Sequence, residues 1–391
     1  MELAANLTVV QGSNAEGKTN LLEAIAYLAT LSSFRGVPNE ALVRVGCAQA
    51  VVRGQGRRGD RDLLLEAEIR AVGRGRVSLN RQPVRRAADL SGALRVSVFS
   101  PDDLVLVKGS PGGRRRWLDD ALVALHPRND AIRREFERVL RQRTSLLGQA
   151  GGRLTPDVAS TLDVWDTKLA ESGEELARAR VEFLDKAQPL VAEAYANLAT
   201  VDPEGSDQYE ARGGPQGPAP RSEGRSGPAP RSEGRSGAAA TSVTLAYEAP
   251  WREQGLAAAL VDARTQELRR GVSLVGPHRD DVALSVGGLA ARTQASQGEQ
   301  RSLALALRLA AHQVVTDELG EAPLLLLDDV FSELDAHRSR ALFDHLPPGQ
   351  ALLTTTGAVP EGARPERVLE VAGGRITPGA AMTGRSCLGP Q

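Results

Sequence analysis

Gly12, Gly17, Lys18 and Thr19 stand near the start of a 391-residue chain, in the order Gly, four residues, Gly-Lys-Thr. Glycines there let backbone N–H groups turn inward without a Cβ clash, which makes a concave seat for phosphate. Lys18 would neutralise the β- and γ-phosphates of a nucleotide, and the Thr19 hydroxyl would ligate Mg²⁺. The nucleotide-binding candidates are thus Gly12, Ser13, Asn14, Ala15, Glu16, Gly17, Lys18, Thr19 and Asn20, with ATP and Mg²⁺ as implied cofactors. A second cluster supplies the acids that such chemistry needs. In Leu324–Asp329 an apolar run ends in paired carboxylates. Asp328 would hold Mg²⁺ together with Thr19, and Asp329 would orient or deprotonate the attacking water. Lys18 and Asp329 are therefore the catalytic candidates, and Thr19 and Asp328 the metal candidates. The plainer alternative is a core strand that ends in a solvated acidic turn.

A third cluster begins at Ser296. Ser-Gln-Gly ahead of an amphipathic helix is an anion site built from a hydroxyl, a flexible backbone and a helix N-terminus. The first loop already cradles the phosphates of the nucleotide bound beside it. A second γ-phosphate site therefore serves an ATP held by another subunit. Its candidates are Ser296, Gln297, Gly298 and Gln300, followed by Ser332 and Asp335 of the segment SELD. Taken alone, Ser296 reads better as an ordinary helix cap, since Ser before a helix is commonplace.

These groups need a sheet and helices to place them. Asn6–Val10 reads as a buried parallel strand, and Leu21, Leu22, Ile25, Leu28 and Ala29 form one face of the helix after the loop. Between about residues 50 and 100, short alternating runs predict an antiparallel sheet with turns at Gly54–Gly59 and Gly73–Gly75. Arg114–Leu147 and Pro156–Leu198 keep helical spacing, which suggests antiparallel arms projecting from the core. Residues 217–226 recur identically at 227–236, and Pro, Gly, Ser and charge without aromatics cannot bury a core. Then come a strand at TSVTLAYE, a helix near 254–270, a hairpin in GVSLVGPHRDDVALSVGG, a long helix, and buried strands at PLLLLDD and ALLTTTG. The expected fold is α/β with a mixed sheet, divided as 1–113, a helical insertion at 114–202, a disordered linker at 203–241, and 242–391.

Formal net charge is −1, so bulk electrostatics give no argument for nucleic acid. The distribution is uneven: Val51 to Arg143 holds 21 Arg/Lys against 12 Asp/Glu, a local +9. Cys47 and Cys387 fit no metal or disulfide framework, which suits a reducing compartment. No charged-then-apolar leader and no run of about 18 apolar residues is present, so a cytoplasmic chain without a membrane partner is expected.

The order phosphate loop, Ser-Gln-Gly helix, acidic strand and SELD resembles the ATP-binding-cassette heads of the SMC group, and most closely the RecF family of bacterial recombination mediators. SSFR (Ser32–Arg35), FSPDDLVLVKGSPGGRRRWLD (Phe99–Asp119), GPHRDD (Gly276–Asp281) and SQGEQRSLALAL all look like that family's blocks, and they span most of the chain outside the linker. The resemblance implies two heads clamped together by ATP, with Ser296 and Gly298 reaching the partner's γ-phosphate. It also implies a DNA-gripping, nucleoid-associated homodimer with slow hydrolysis for release. RecR and RecO are the implied partners, and recombinase loading at single-stranded gaps is the implied task. The family also has a strand and an Asn-bearing turn ahead of the first residue here, so either the start is placed late or the sheet lacks an edge strand. Ala15 stands where the family often carries glycine.

For DNA, Arg134, Arg138 and Arg141 share a helical face suited to phosphates, or form a solvated face laced to Glu135 and Glu137. Arg114–Arg116 suit a structural or ATP-coupled role. No element for reading bases is visible, so recognition of backbone and shape is expected. His278 lacks companions at metal-ligand spacing. Two other ATPase readings compete. A transport-coupled cassette would be a compact head without the Arg-rich sheet and helical insertion, and a RecN-like protein would have longer arms. A fused nuclease needs a further acidic domain, for which too little chain follows residue 356.

Overall fold

The computed structural model describes residues 1–85, 90, 93–199 and 242–379. The 203–241 segment with its repeat, and Cys387, lie outside the described residues.

Both ends of the chain build one six-stranded sheet. β1 (Leu7–Gln11) sits inside it, parallel to β11 (Ala351–Thr355) on one side and to β12 (Arg367–Ala372) on the other. Beyond β11 lie β10 (Leu324–Asp328) and β6 (Val96–Phe99), both parallel, while β13 (Arg375–Pro378) closes the far edge antiparallel to β12. Interior parallel strands are covered on both faces and so read as unbroken apolar runs. LLLLD and ALLTT are buried almost throughout for this reason. α1 (Lys18–Thr30) lies against this sheet through Leu22 and Ala26.

A four-stranded antiparallel sheet follows: β2 (Gln49–Arg58), β3 (Arg61–Arg70), β4 (Arg76–Leu79) and β5 (Gln82–Val84). The expected turn at Gly54–Gly59 is corrected: β2 runs through Gly54 and Gly56, and the chain reverses at Gly59–Asp60. Packing explains the interior Gly54, because a Cβ there would come 2.8 Å from Leu28 Cδ1 of α1. Leu65, Ala67 and Ile69 of β3 pack with Tyr27 and Leu28, so only one face of this sheet is covered.

Short α2 (Val105–Lys108) leads to α3 (Pro111–Leu125), α4 (Pro127–Gln149) and α5 (Pro156–Ala199). The first predicted helical run is thus two helices, broken at His126, whose extended backbone precedes Pro127. α5 spans 44 residues, about 66 Å at 1.5 Å per residue. Its buried side chains from Leu169 to Tyr195 belong to the largest apolar core, so most of the helix lies on the body of the molecule.

β7 (Val243–Glu248) is followed by α6 (Leu256–Arg270), β8 (Asp281–Val286), β9 (Leu289–Ala290) and the one-turn α7 (Ala291–Gln294). The hairpin expected within 271–288 is not formed. Gly271–Asp280 is irregular, and β8 pairs antiparallel with β7, turning only at Gly287–Gly288 into two-residue β9. α8 (Gln297–Leu319) packs its Leu- and Ala-rich faces against the largest core and the sheet, and α9 (Ala336–Asp344) follows β10. The GPHRDD block is a fastening. Arg180 donates to Pro277 O at 2.8 Å, Tyr247 and Trp251 donate to the Asp280 carboxylate at 2.7 Å, and Arg114 grips Asp281 with two bonds at 2.7 and 2.8 Å. Arg115 donates to Asp280 O, so the arginines ahead of α3's middle hold α3 to β8. His278 is a half-buried ring beside Phe136, and no group of three or more His, Cys, Asp or Glu that could hold a metal occurs among the described residues.

Candidate nucleotide-binding site

The loop between β1 and α1 is shaped by contacts that few residues tolerate. A Cβ on Gly12 would come 2.5 Å from Val371 O of β12, so only glycine lets the chain leave β1 so close to its neighbour. Gly17 has φ +105 and opens α1 with no side-chain cap. The first N–H groups of α1 are left for an anion, at the positive end of the helix dipole. Ala15 has φ 66, in the left-handed region that glycine occupies without strain. Glu16 accepts from Gly373 N, tying the loop to the β12–β13 turn. Ser13 and Asn14 are exposed. Lys18 is 6% exposed, and its Nζ donates to Gly12 O and Ser13 O at 2.7 and 2.8 Å. The ammonium therefore stands inside the loop.

Thr19 and Asp328, 309 residues apart in sequence, meet at 2.9 Å: the Thr19 hydroxyl donates to Asp328 Oδ1. Thr354 of β11 donates to the same oxygen at 2.8 Å, and its hydroxyl accepts from Asp329 N at 3.0 Å. Burial pushes the Asp328 carboxyl up. The Thr354 and Thr19 hydroxyls pull it down, the adjacent Asp329 raises it, and Arg35 lowers it. Asp329 has φ 48, and its Oδ1 is buried without a hydrogen-bond partner. A strained residue with an unsatisfied buried oxygen is a recurrent mark of a functional position.

SSFR stands in the sequence only as a block of resemblance, and the structure supplies its role. Ser33 and Arg35 fold back onto the buried carboxylate of Glu23, which places the Arg35 guanidinium beside Asn20 and in the field of Asp328 and Asp102. Thr354 was missed too, although a polar TTT ending a buried strand was its signal. So was the Asp103–Arg308 pair (2.6 Å), which ties the end of β6 to α8.

Ser296 is exposed and caps α8 in a capping box: its hydroxyl accepts from Glu299 N, and Glu299 Oε2 accepts from Ser296 N at 2.6 Å. Gln297 is exposed beside it. Gln300 is buried and donates to Ala291 O and Arg292 O, so its amide anchors the helix start to α7. A Cβ on Gly298 would meet the Arg338 guanidinium at 2.5 Å, which puts the starts of α8 and α9 side by side. Asp335 caps α9 by accepting from Arg338 N at 2.8 Å, and Ser332 Oγ donates to Asp329 O at 2.7 Å, folding SELD back onto the acidic strand. The arginine face of α4 is laced to acids: Arg134 to Asp130 (2.7 Å), Arg138 to Glu135 (2.5 Å) and Arg141 to Glu137 (3.8 Å).

A phosphate loop on a parallel sheet, acids closing it from β10 and an exposed Ser-Gln-Gly helix start define an ATPase head of the SMC type. The RecF/RecN/SMC N terminal domain family matches residues 1–351. The DNA replication and repair protein RecF of Beutenbergia cavernae is 42% identical over 388 residues, 96% of this chain and 94% of that protein. The protein of the same name in Cutibacterium acnes is 41% identical over 96% and 93%. Among solved structures, the recombination mediator protein RecF-ATPrS superposes with a TM-score of 0.78 at 25% identity, covering 97% of this chain and 94% of that one. An SmcHead bound to the C-winged helix domain of ScpA shares the fold, with a TM-score of 0.52 and 14% identity over 98% and 92%. The chain belongs to the RecF family.

Proposed function

We propose that this chain is an ATP-gated, DNA-binding recombination mediator whose two heads close on ATP and open on slow hydrolysis. The observation that carries the reading is the 2.9 Å contact between Thr19 and Asp328, which joins the phosphate loop to the acid strand. The residues present fit a magnesium nucleotide. Gly12 and Gly17 hold a concave backbone, Lys18 stands among the loop carbonyls, and a hydroxyl and a carboxylate already converge. Thr19 and Asp328 would hold Mg²⁺, which when bound neutralises charge on the phosphate oxygens. Asp329, with one carboxylate oxygen unpaired, orients the attacking water.

Ser296 and Gln297 are exposed at the helix N-terminus, with Gly298 half-buried against Arg338, so this helix start completes the site of a second head. Nucleotide then acts as a switch between separate and paired heads. The names of the relatives support DNA replication and repair as the setting; single-stranded gaps and duplex junctions are the proposed substrate. RecR and RecO are the proposed partners, and the divisions at 113, 202 and 241 are the proposed domain limits.

Sedimentation of the purified chain with Mg²⁺ and no nucleotide, ADP or ATP, with and without gapped DNA, tests this. Dimers are expected only with ATP, and tighter with DNA. Lys18→Ala should abolish ATP-dependent pairing, and Ser296→Arg should bind ATP as a monomer. Normal dimers of Ser296→Arg would overturn the shared site.

A further inference from the structure

We infer that Arg338, in the first turn of α9, contacts the γ-phosphate of the ATP bound in a second head, beside Ser296 and Gly298. This rests on the paired-head reading above and adds a cation to the shared site that the Ser-Gln-Gly motif does not contain.

The start of α8 has more donors than it uses. Ser296 Oγ accepts from Glu299 N, and Gln300 N donates to Ser296 O at 2.9 Å. The N–H groups of Gln297 and Gly298 stand ahead of the first helical bond and have no acceptor within the helix. Both belong to the positive end of the α8 dipole. A guanidinium is placed against that end. A Cβ on Gly298 would lie 2.5 Å from Arg338 Nη1, 2.8 Å from Nη2 and 3.0 Å from Cζ, so the planar fork covers the second residue of the helix. Arg338 itself stands in the first turn of α9, so two helix N-termini and a cation meet at one corner.

Of the acids described at this corner, Glu299 is turned back onto Ser296 N by the capping box. Asp335 caps α9 by accepting from Arg338 N at 2.8 Å, and its other oxygen lies 3.2 Å from Arg338 Nη1. That carboxylate is 55% exposed in its side chain against 25% for Arg338, so water screens much of its pull on the cation. A cation set against a helix N-terminus is unfavourable by itself and becomes favourable once an anion lies between them. A terminal phosphate supplies that anion, with oxygens for the fork and for the two N–H groups together.

Gly298 carries an independent sign. It lies inside the helix and has no positive φ, so backbone conformation does not call for glycine there. Alanine is the better helix former. What glycine provides is room for the Arg338 guanidinium. The same arginine is close in sequence to the chemistry of its own head: α9 follows SELD, whose Ser332 Oγ donates to Asp329 O at 2.7 Å. One short segment thus joins the partner's phosphate to this head's acid.

The test is sedimentation of the full chain with ATP and Mg²⁺. Arg338→Gln should bind ATP as a monomer with the wild-type Kd. Its half-dimerisation concentration should rise about 100-fold, because a symmetric pair loses two charged contacts of about tenfold each. Mixing assigns the side of the interface on which Arg338 acts. Lys18→Ala holds no nucleotide but offers an intact Arg338 to a neighbour, so it forms one shared site with any chain that binds ATP. Labelled Arg338→Gln should therefore pair with excess Lys18→Ala as tightly as labelled wild type does. Wild-type dimerisation of Arg338→Gln by itself overturns the assignment. So does weaker pairing with Lys18→Ala than the wild type shows, which would give Arg338 to its own loop or fold; that comparison stands whether or not Arg338→Gln melts lower. No ATP-driven dimer of the wild type removes the shared site itself, and this contact with it.

Discussion

Asp328 and Asp329 are neighbours in unlike surroundings: Asp328 accepts from two hydroxyls, whereas Asp329 Oδ1 is buried without a hydrogen-bond partner. Asp328 is 5% exposed, and burial raises its carboxyl above the ordinary 3.8. A raised folded value means that the protonated acid is favoured by folding. The stability this gives is present at pH below the unfolded value and lost as pH rises through the folded one. At neutral pH the Asp328 carboxylate therefore works against the nucleotide-free fold. Asp328→Asn keeps an acceptor for the Thr19 and Thr354 hydroxyls and removes the charge. It is expected to abolish hydrolysis while raising the melting temperature at pH 7 by about 2 °C. A melting temperature lowered by as much would show that the charge supports the fold. Both acids were legible in LLLLDD because a chemical motif is local, and so was the loop. Thr354 and the Glu23–Arg35 pair were not, since their meaning exists only once β11 and α1 lie beside β10 and the loop.

At the scale of elements, α8 joins two unlike demands. Its first turn is polar and opens to solvent at Gln297, while its middle carries His312, 2% exposed, with neither ring nitrogen hydrogen-bonded. Burial holds His312 down at about 4 from the ordinary 6.5, and burial is also the main reason that His278 stands at about 4. Between those values the unfolded chain takes up protons that the folded chain refuses. Stability is therefore lost as pH falls from 6.5 toward 4, by up to about 1.4 kcal/mol per pH unit for each ring. His312→Leu should leave urea stability at pH 7 equal or higher by about 1 kcal/mol, and flatten its fall below pH 6.5 by one proton. An unchanged slope would place the uptake elsewhere. Helical periodicity made α8 readable almost to its ends. The partner of β8 was not readable: alternation in DVALSV reveals a strand, but pairing with β7 is decided by what α5 and α3 cover. β12 and β13 were missed for a related reason, as a half-exposed edge pair has a weak apolar signal.

For the whole molecule, the buried ion pairs fasten one layer to another. Arg114, 6% exposed in its side chain, spans from α3 to Asp281 of β8, and Arg180 spans from α5 to Asp119 of α3 and to Pro277. Removing one member leaves the other charge uncompensated, at a cost of about 3–5 kcal/mol. Arg114→Met should lower the urea midpoint accordingly, whereas Arg138→Ala on the solvated α4 face should leave it in place. Equal effects would mean that Arg114 is no fastening. The class of fold was legible because loop, acid strand and helix start occur in a fixed order along the chain. The course of α5 was less so: its apolar positions gave a helix, but only their burial in the shared core shows that most of it lies on the body.

That Thr19 bonds to a residue 309 positions later sets a timetable for the newborn chain. At about 5–20 residues per second the ribosome needs roughly 15–60 s to travel between them. All that while β1 lacks both of its sheet neighbours, and the phosphate loop has neither the acids of β10 nor the backbone of β12 against which Gly12 fits. A transcript cut short anywhere before β10 thus yields a chain that can display a lysine and a threonine but no assembled site, and clamping is withheld from every incomplete copy.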